Sequence, residues 1–322
     1  MFADILGQQN ITRVLHSELE EGKVHHAYLF YGPKGSGKKT LGKLLSLALN
    51  CENFPDGPCH KCHSCLLAAG GNHTDIHFIA PDGKSLKIGQ VRQLKQTAAL
   101  KPYAGRYQVF ILDATLTVTP EASNSLLSVL EEPGPDTVFI ILCENPHVLP
   151  QTIVSRCQLF ALARLTTENL GELLDQQGQL TPEQKEMAIC FAEGIPGNAL
   201  AAACIDWPEI LNAAITFLYN WSADTCYSSL AMELSSRENI HEFIHVLLSL
   251  LRDLIVLQLT GNTGQLLLHS QAERLAVLSD VWPVKKAFNA LEAILGLQKN
   301  LKSPVNVRLS VERALRCLKE EV

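Results

Sequence analysis

Ala27-Tyr-Leu-Phe-Tyr-Gly-Pro-Lys-Gly-Ser-Gly-Lys-Lys-Thr40 is the stretch on which the fold turns. Its first five residues form an apolar run that reads as a buried strand. The strand opens into a glycine loop with Gly32, Gly35, Ser36, Gly37 and Lys38 in the order of a phosphate-binding loop. Glycines let such a loop fold tightly, so that backbone N–H groups surround phosphate oxygens at the N-terminus of the next helix. That helix is marked by Leu41, Leu44, Leu45, Leu47 and Leu49. The motif ordinarily continues with Ser or Thr, whose hydroxyl holds a magnesium ion. Here the residue is Lys39. Thr40 is no substitute, because one step along a helix turns the side chain by about 100°. The stretch predicts a nucleotide-binding fold that lacks a catalytic part.

Working outward, Ile11, Val14, Leu15 and Leu19 recur at helical spacing and predict a helix within residues 1–26, before the strand. Downstream, Ile76–Ala80, Gln108–Leu112 and Val138–Leu142 are short continuous apolar runs, as expected of strands covered on both faces in a parallel sheet. Thr119-Pro120 predicts an N-cap and first turn for a helix that ends at Glu132-Pro-Gly134. The alternation predicts an α/β fold, a doubly wound parallel sheet, over residues 1–162. From Arg164 the strands stop. Thr166–Gln176 and Thr181–Glu193 read as helices, the second with a capping box at Thr181-Pro-Glu-Gln184. Gly194-Ile-Pro-Gly197 reads as a break before a helix at Ala199–Ala203, which closes a small helical segment over 163–205. Residues 206–322 carry long leucine-rich helical patterns, including His245–Leu259 and Val284–Leu297, and predict a separate all-helical domain.

The formal charge of -6 argues against a protein that grips DNA through its own basic surface. The N-terminus shows no basic region followed by an apolar run, and no apolar stretch approaches the roughly 18 residues a membrane span needs. This reading predicts a cytoplasmic protein without a membrane association. Of the ten cysteines, Cys51, Cys59, Cys62 and Cys65 cluster. In a chain without an export signal, that density predicts a metal site rather than disulfides. Four thiolates complete a tetrahedral zinc site without help from His60 or His63, and a closed site leaves the metal structural, not catalytic. Gly57, Pro58 and His60–Ser64 suit a compact knuckle rather than a helix.

The strand Gln108–Leu112 runs into Asp113, followed by Ala114. An acid at a strand end serves as a cap or turn residue, or as a magnesium-holding acid in a phosphate-loop protein. Further on come Asn124-Ser-Leu-Leu-Ser-Val-Leu-Glu-Glu-Pro133 and Leu149-Pro-Gln-Thr-Ile-Val-Ser-Arg-Cys-Gln158. Together with His26–Pro33 and the four-cysteine insert after the loop's helix, these motifs occur in a familiar order. The chain resembles the clamp-loader branch of the AAA+ ATPases, in particular the gamma/tau and delta-prime subunits of bacterial DNA polymerase III. The motifs cover residues 1–160, and the three-segment plan covers the rest as a helical lid and a helical collar.

The resemblance implies a role for each matching residue. Lys38 takes the place of the phosphate-loop lysine and Asp113 that of the second nucleotide motif. Ala114 replaces that motif's glutamate, Cys143 and Glu144 replace the sensor threonines, and Gly197 stands where motor subunits carry a sensor arginine. Magnesium ligand, base and both sensors are thus changed together, which implies weak or absent ATP or ADP binding and no intrinsic ATPase activity. Arg156 is retained. In the Ser155-Arg156-Cys157 triplet of the family, this arginine reaches across a subunit boundary to the γ-phosphate of a neighbour's ATP. On the residues alone, an arginine here would instead cap the sheet through a local carboxylate.

The combination implies a delta-prime-type stator in a hetero-pentamer with delta and gamma/tau. Through that complex it would contact the sliding clamp and primed DNA, as a subunit of the DNA polymerase III holoenzyme. An ATP-hydrolysing gamma/tau motor is the alternative, supported by the phosphate loop and Asp113 but opposed by Lys39, Ala114, Glu144 and Gly197. A free-standing nucleic-acid-binding zinc protein is disfavoured by the acidic balance and by the lack of interleaved aromatic and basic residues around the cysteines.

Overall fold

The computed structural model describes residues 5–54, 58–83, 85–114, 117–178, 180–222, 232, 234, 239–301 and 307–316. The loop-bearing strand β1 (Ala27–Tyr31) lies inside a five-stranded parallel sheet with β2 (Ile76–Ile79), β4 (Gln108–Asp113), β6 (Thr137–Cys143) and β7 (Gln158–Ala161). The strand order is β2-β4-β6-β1-β7, with Leu29 level with Ile141 of β6 on one side and Leu159 of β7 on the other. Two-residue strands β3 (Ser85–Leu86) and β5 (Thr117–Val118) form a small parallel pair outside this sheet.

Helices cover both faces, which is why the central strands carry unbroken apolar runs. On one face, Tyr28, Phe30, Ile140 and Leu142 pack with Ile11, Leu15 and Leu19 of α1 (Gln9–Glu20) and with Leu41 and Leu45 of α2 (Lys38–Leu49). On the other, Leu29, Phe110, Phe139 and Ile141 meet Val91 and Leu94 of α4 (Ile88–Ala98) and Leu126 and Leu130 of α5 (Pro120–Glu131). The intervening α3 (His63–Ala69) follows the cysteine insert, and α6 (Gln151–Val154) precedes β7. The phosphate loop, Asp113 and Cys143 all lie at or beyond the carboxyl ends of their strands, where parallel α/β sheets place ligand sites.

The structure departs from the sequence reading at several places, among them helix α4 and the strand pair β3–β5, which the sequence reading did not place. Strand β7 was not expected as a strand: residues 159–163 form an apolar run, but the strand itself is only Gln158–Ala161, pairs at the sheet edge and follows closely on the short helix α6. Helix α3 starts at His63, inside the segment expected to be a non-helical knuckle, because the Cys62 sulfur caps it by accepting from the Cys65 N–H at 3.4 Å. The break at Gly194–Gly197 is shorter than read, since α9 (Pro196–Ala202) already begins at Pro196. The turn itself rests on the left-handed backbone of Glu193 and Gly194.

The chain divides into two compact units, residues 1–173 with 194–197, and residues 174–193 with 198–322. Helix α7 (Thr167–Asp175) spans one of these boundaries. Among its described residues the second unit has no strand; besides most of α9, its helices are α8 (Pro182–Ala192), α10 (Trp207–Ser222), α11 (Ile240–Thr260), α12 (Ala272–Ser279), α13 (Val284–Asn300) and α14 (Val307–Arg316). The capping box on α8 forms as read, with Thr181 and Gln184 side chains each accepting the other's backbone N–H.

Helix α11 packs against α10, α12 and α13. Against the sequence expectation, α11 is long and apolar enough to cross a membrane by length and composition. Half of that apolar window is buried inside the protein, including Phe243, Leu247, Leu250 and Leu254, as suits the central helix of a bundle. Its buried Asp253 accepts backbone N–H groups of Leu267 and Leu268 at 2.8–2.9 Å and pins the following loop.

Candidate functional site

The phosphate loop is built as the motif requires but is turned in on itself. Gly35 and Gly37 have φ of 82° and 95°, left-handed values that disfavour any residue with a Cβ. Gly37 thereby caps α2 and sets Lys38 at its first position. The Lys38 side chain is almost fully buried, and its Nζ donates to the carbonyls of Gly32 and Pro33, both at 2.8 Å. Burial pulls its pKa down, while Glu144, Cys143 and Asp113 push it back up. The Ser36 N–H donates within the loop to the Pro33 carbonyl at 3.2 Å, and the Ser36 hydroxyl is buried without a hydrogen-bond partner.

Segment Ile195–Gly197 lies directly against the loop. The Gly197 N–H donates to the Gly35 carbonyl at 2.9 Å. A Cβ on Gly197 would stand 2.9 Å from the Gly35 Cα and 3.1 Å from its carbonyl oxygen, so only glycine fits there. Lys39 points elsewhere: its Nζ sits 4.0 Å from the centroid of the Phe78 ring, a cation–π contact at the end of β2. Thr40 is exposed. Asp113 ends β4 and Cys143 ends β6, where burial pushes the Cys143 thiol up to about 11 and keeps it neutral. Glu144 is exposed beside it. No hydroxyl stands where a magnesium ligand belongs, and Lys38, the charge that would meet a phosphate, already bridges two carbonyls. These residues do not fit a hydrolytic magnesium–nucleotide centre.

The four cysteines do converge. The Sγ atoms of Cys51, Cys59, Cys62 and Cys65 all lie within 4.8 Å of one another, and the Cys51–Cys62 pair is 4.0 Å apart. A tetrahedron with metal–sulfur bonds of ~2.3 Å has edges of about 3.8 Å. Cys51 follows α2, Cys65 lies in the first turn of α3, and Cys59 and Cys62 come from the turn between, where His60 takes a left-handed φ of 57°. The Cys62 N–H donates to the Cys59 sulfur at 3.4 Å. Backbone donors at Lys61 and Cys62 pull the Cys59 thiol down to about 6, whereas burial pushes Cys65 up to about 12 and Cys51 upward. Thiols this close, with N–H groups aimed at sulfur, are a donor set suited to one soft metal ion. Neither His60 nor His63 belongs to the group.

Two residues that the sequence reading passed over buttress this cluster. The His73 ring accepts the Asp75 N–H at Nδ1 (3.1 Å), so its proton sits on Nε2 and is donated to the Ser64 hydroxyl at 3.0 Å. Burial raises the Asp75 carboxyl, but N–H groups of Tyr103, Ala104 and Gly105 at 2.6–2.8 Å together hold it below its ordinary value. A histidine and an acid set just before an apolar strand were the only sequence signal.

The Ser155-Arg156-Cys157 triplet closes α6 and leads into β7. Its residues are sorted by burial: Ser155 is exposed, Arg156 half-buried and Cys157 buried, with the Cys157 thiol pushed up to about 12. The Cys157 Sγ donates to the Ile153 carbonyl at 3.3 Å and anchors the turn. Arg156 donates from Nη1 to the Thr152 carbonyl at 2.8 Å and from Nη2 to the Glu131 carboxylate at 2.6 Å. The local carboxylate anticipated for an arginine at this edge is therefore present.

The described geometry has counterparts among known proteins. A family model for "DNA polymerase III, delta subunit" matches residues 7–166, and one for the C-terminal part of that subunit matches residues 224–320. The delta-prime subunit of DNA polymerase III from Bacillus subtilis is 27% identical over 97% of this chain and 96% of its own length. The tau subunit from the same organism is 34% identical over 67% of this chain, which spans 38% of tau's length. A solved gamma-subunit-related protein from Thermotoga maritima aligns with 97% of this chain and 99% of its own at 16% identity and a TM-score of 0.48, too remote to carry weight. With two family models taking in most of the sequence and end-to-end similarity to a delta-prime subunit, the chain belongs to the DNA polymerase III delta family, as a homologue of delta-prime.

Proposed function

We propose that this chain is the stator of a bacterial clamp loader. It would sit in a hetero-pentamer with delta and gamma/tau subunits and supply Arg156 to the ATP site of a neighbouring gamma/tau. Residues 1–162 then form the AAA+ domain, 163–205 a helical lid and 206–322 the collar through which the subunits assemble. The sliding clamp and primed DNA are met through the assembled complex, in the cytoplasm. Cys51, Cys59, Cys62 and Cys65 hold a structural zinc ion, which supplies fixed geometry and no reaction step.

The observation that carries this reading is a contrast within one domain. Both cations are held locally, but Lys38 is buried on its own loop's carbonyls, whereas Arg156, held by Thr152 and Glu131 on an anchored turn, keeps its side chain 35% exposed at the domain surface. A guanidinium needs no nucleotide in its own subunit to stabilise charge on another subunit's γ-phosphate, an effect worth roughly 10³–10⁵ in rate in nucleotide hydrolases. Any ATP or ADP held by the loop itself is bound weakly.

In a clamp loader reconstituted with its gamma/tau and delta partners, Arg156→Ala should depress DNA-stimulated ATPase while the complex still assembles. Lys38→Ala should do far less. Unchanged turnover in Arg156→Ala removes the arginine from the mechanism. A comparable loss in Lys38→Ala, or motor-like ATPase activity of the isolated chain, favours the gamma/tau reading.

A further inference from the structure

Helix α5 ends in Glu131 and Glu132, two carboxylates at the end of a helix where the backbone dipole is already negative. Such a terminus gains nothing for the helix itself. Glu131 is instead matched by Arg156, 25 residues further along the chain, in an ion pair of 2.6 Å whose side chains are 45% and 35% exposed. An ion pair this open contributes little to stability. Its geometric effect is larger. The guanidinium is a rigid fork with five N–H donors. Here one hydrogen bond from Nη1 goes to the Thr152 carbonyl and one from Nη2 to Glu131, so both terminal nitrogens are tethered. The fork has more donors than these two hydrogen bonds use, and the side chain stays 35% exposed. It is oriented without being used up.

We propose that Glu131 is a positioning residue for Arg156. Resting on the reading of Arg156 as a finger for a neighbour's ATP, the inference is that the carboxylate holds the guanidinium in one rotamer at the subunit edge. The arginine then reaches the transferring phosphoryl group without first searching for its orientation. Preset geometry of this kind acts on the chemical step rather than on substrate affinity.

The test is a double-mutant cycle in the reconstituted clamp loader, with kcat and KM for DNA-stimulated ATP hydrolysis read separately and assembly followed by gel filtration. Glu131→Ala should lower kcat roughly 2- to 5-fold, the range a half-exposed ion pair can supply, with KM and assembly unchanged. Glu131→Gln should recover part of the loss, because its amide oxygen accepts the same hydrogen bond. In an Arg156→Ala background, Glu131→Ala should have no further effect. Full activity in Glu131→Ala alongside a strong loss in Arg156→Ala overturns the positioning role and leaves the finger intact. A further loss on top of Arg156→Ala overturns it as well. Unchanged turnover in Arg156→Ala defeats the finger reading and this inference together.

Discussion

The surroundings of Gly197 leave no room for a side chain. The resemblance places a sensor arginine here in motor subunits, and the immediate obstacle to one is main chain. A Cβ would meet the Gly35 Cα at 2.9 Å and its carbonyl oxygen at 3.1 Å, and backbone atoms of a tight glycine loop cannot rotate aside as a side-chain tip can. Gly197→Arg should therefore destabilise the protein by about 1–3 kcal/mol, in the range of overpacked substitutions. It should give no tighter ATP binding in an equilibrium titration. A variant that melts like the parent and binds ATP more tightly would show that the contact is slack. Lys39 follows the same logic: it stands where the motif ordinarily has a hydroxyl, and its ammonium has a partner in the Phe78 ring.

Among the elements, the turn over Tyr103–Gly105 depends on a single acid. Three of its N–H groups end on the buried Asp75 carboxylate, so Asp75→Asn leaves donors facing an amide that accepts through one oxygen only. A loss of about 1–3 kcal/mol is expected at neutral pH. The folded-state pKa of Asp75 is depressed, so its contribution is complete above the unfolded carboxylate value of about 3.9 and fades as pH falls through the lower folded value. Denaturant melts of parent and variant should differ at pH 7 and converge below about pH 4; a constant difference across that window would rule the charge out. The apolar runs behind β1, β4 and β6 were legible because strands covered on both faces need unbroken hydrophobicity. Strand β7 was not, although residues 159–163 are apolar: so short a run does not by itself tell an edge strand from a buried loop, and pairing with β1 decides it. The site was legible to the same degree. Cysteine spacing pointed to the thiol cluster, and the glycines to the loop. The inward turn of Lys38, the Gly197 contact and the Glu131–Arg156 pair depend on which distant segments meet, and no local pattern encodes that.

At the scale of the whole molecule, the thiol cluster belongs entirely to the first unit, while the second is held by its own aromatic core. In that core Trp221 and Trp282 meet edge to face at 5.4 Å, and the Trp282 indole N–H donates to the Leu218 carbonyl. Metal removal should consequently act on one unit only. Chelation, or Cys59→Ser, should lower the unfolding transition of the sheet-bearing unit and release or forfeit about one equivalent of metal by elemental analysis. Near-UV circular dichroism of the buried tryptophans in the helical unit should be unaffected. Equal loss of both signals would mean that the two units unfold as one.

The contact between Gly35 and Gly197 also bears on engineering. Building a hydrolytic centre into this loop is not a matter of adding one side chain at a time. An arginine placed at residue 197 would first collide with main chain, and a hydroxyl placed at residue 39 would still stand beside a lysine bonded to its own loop. The backbone of the loop is therefore the part that a designer would have to change first.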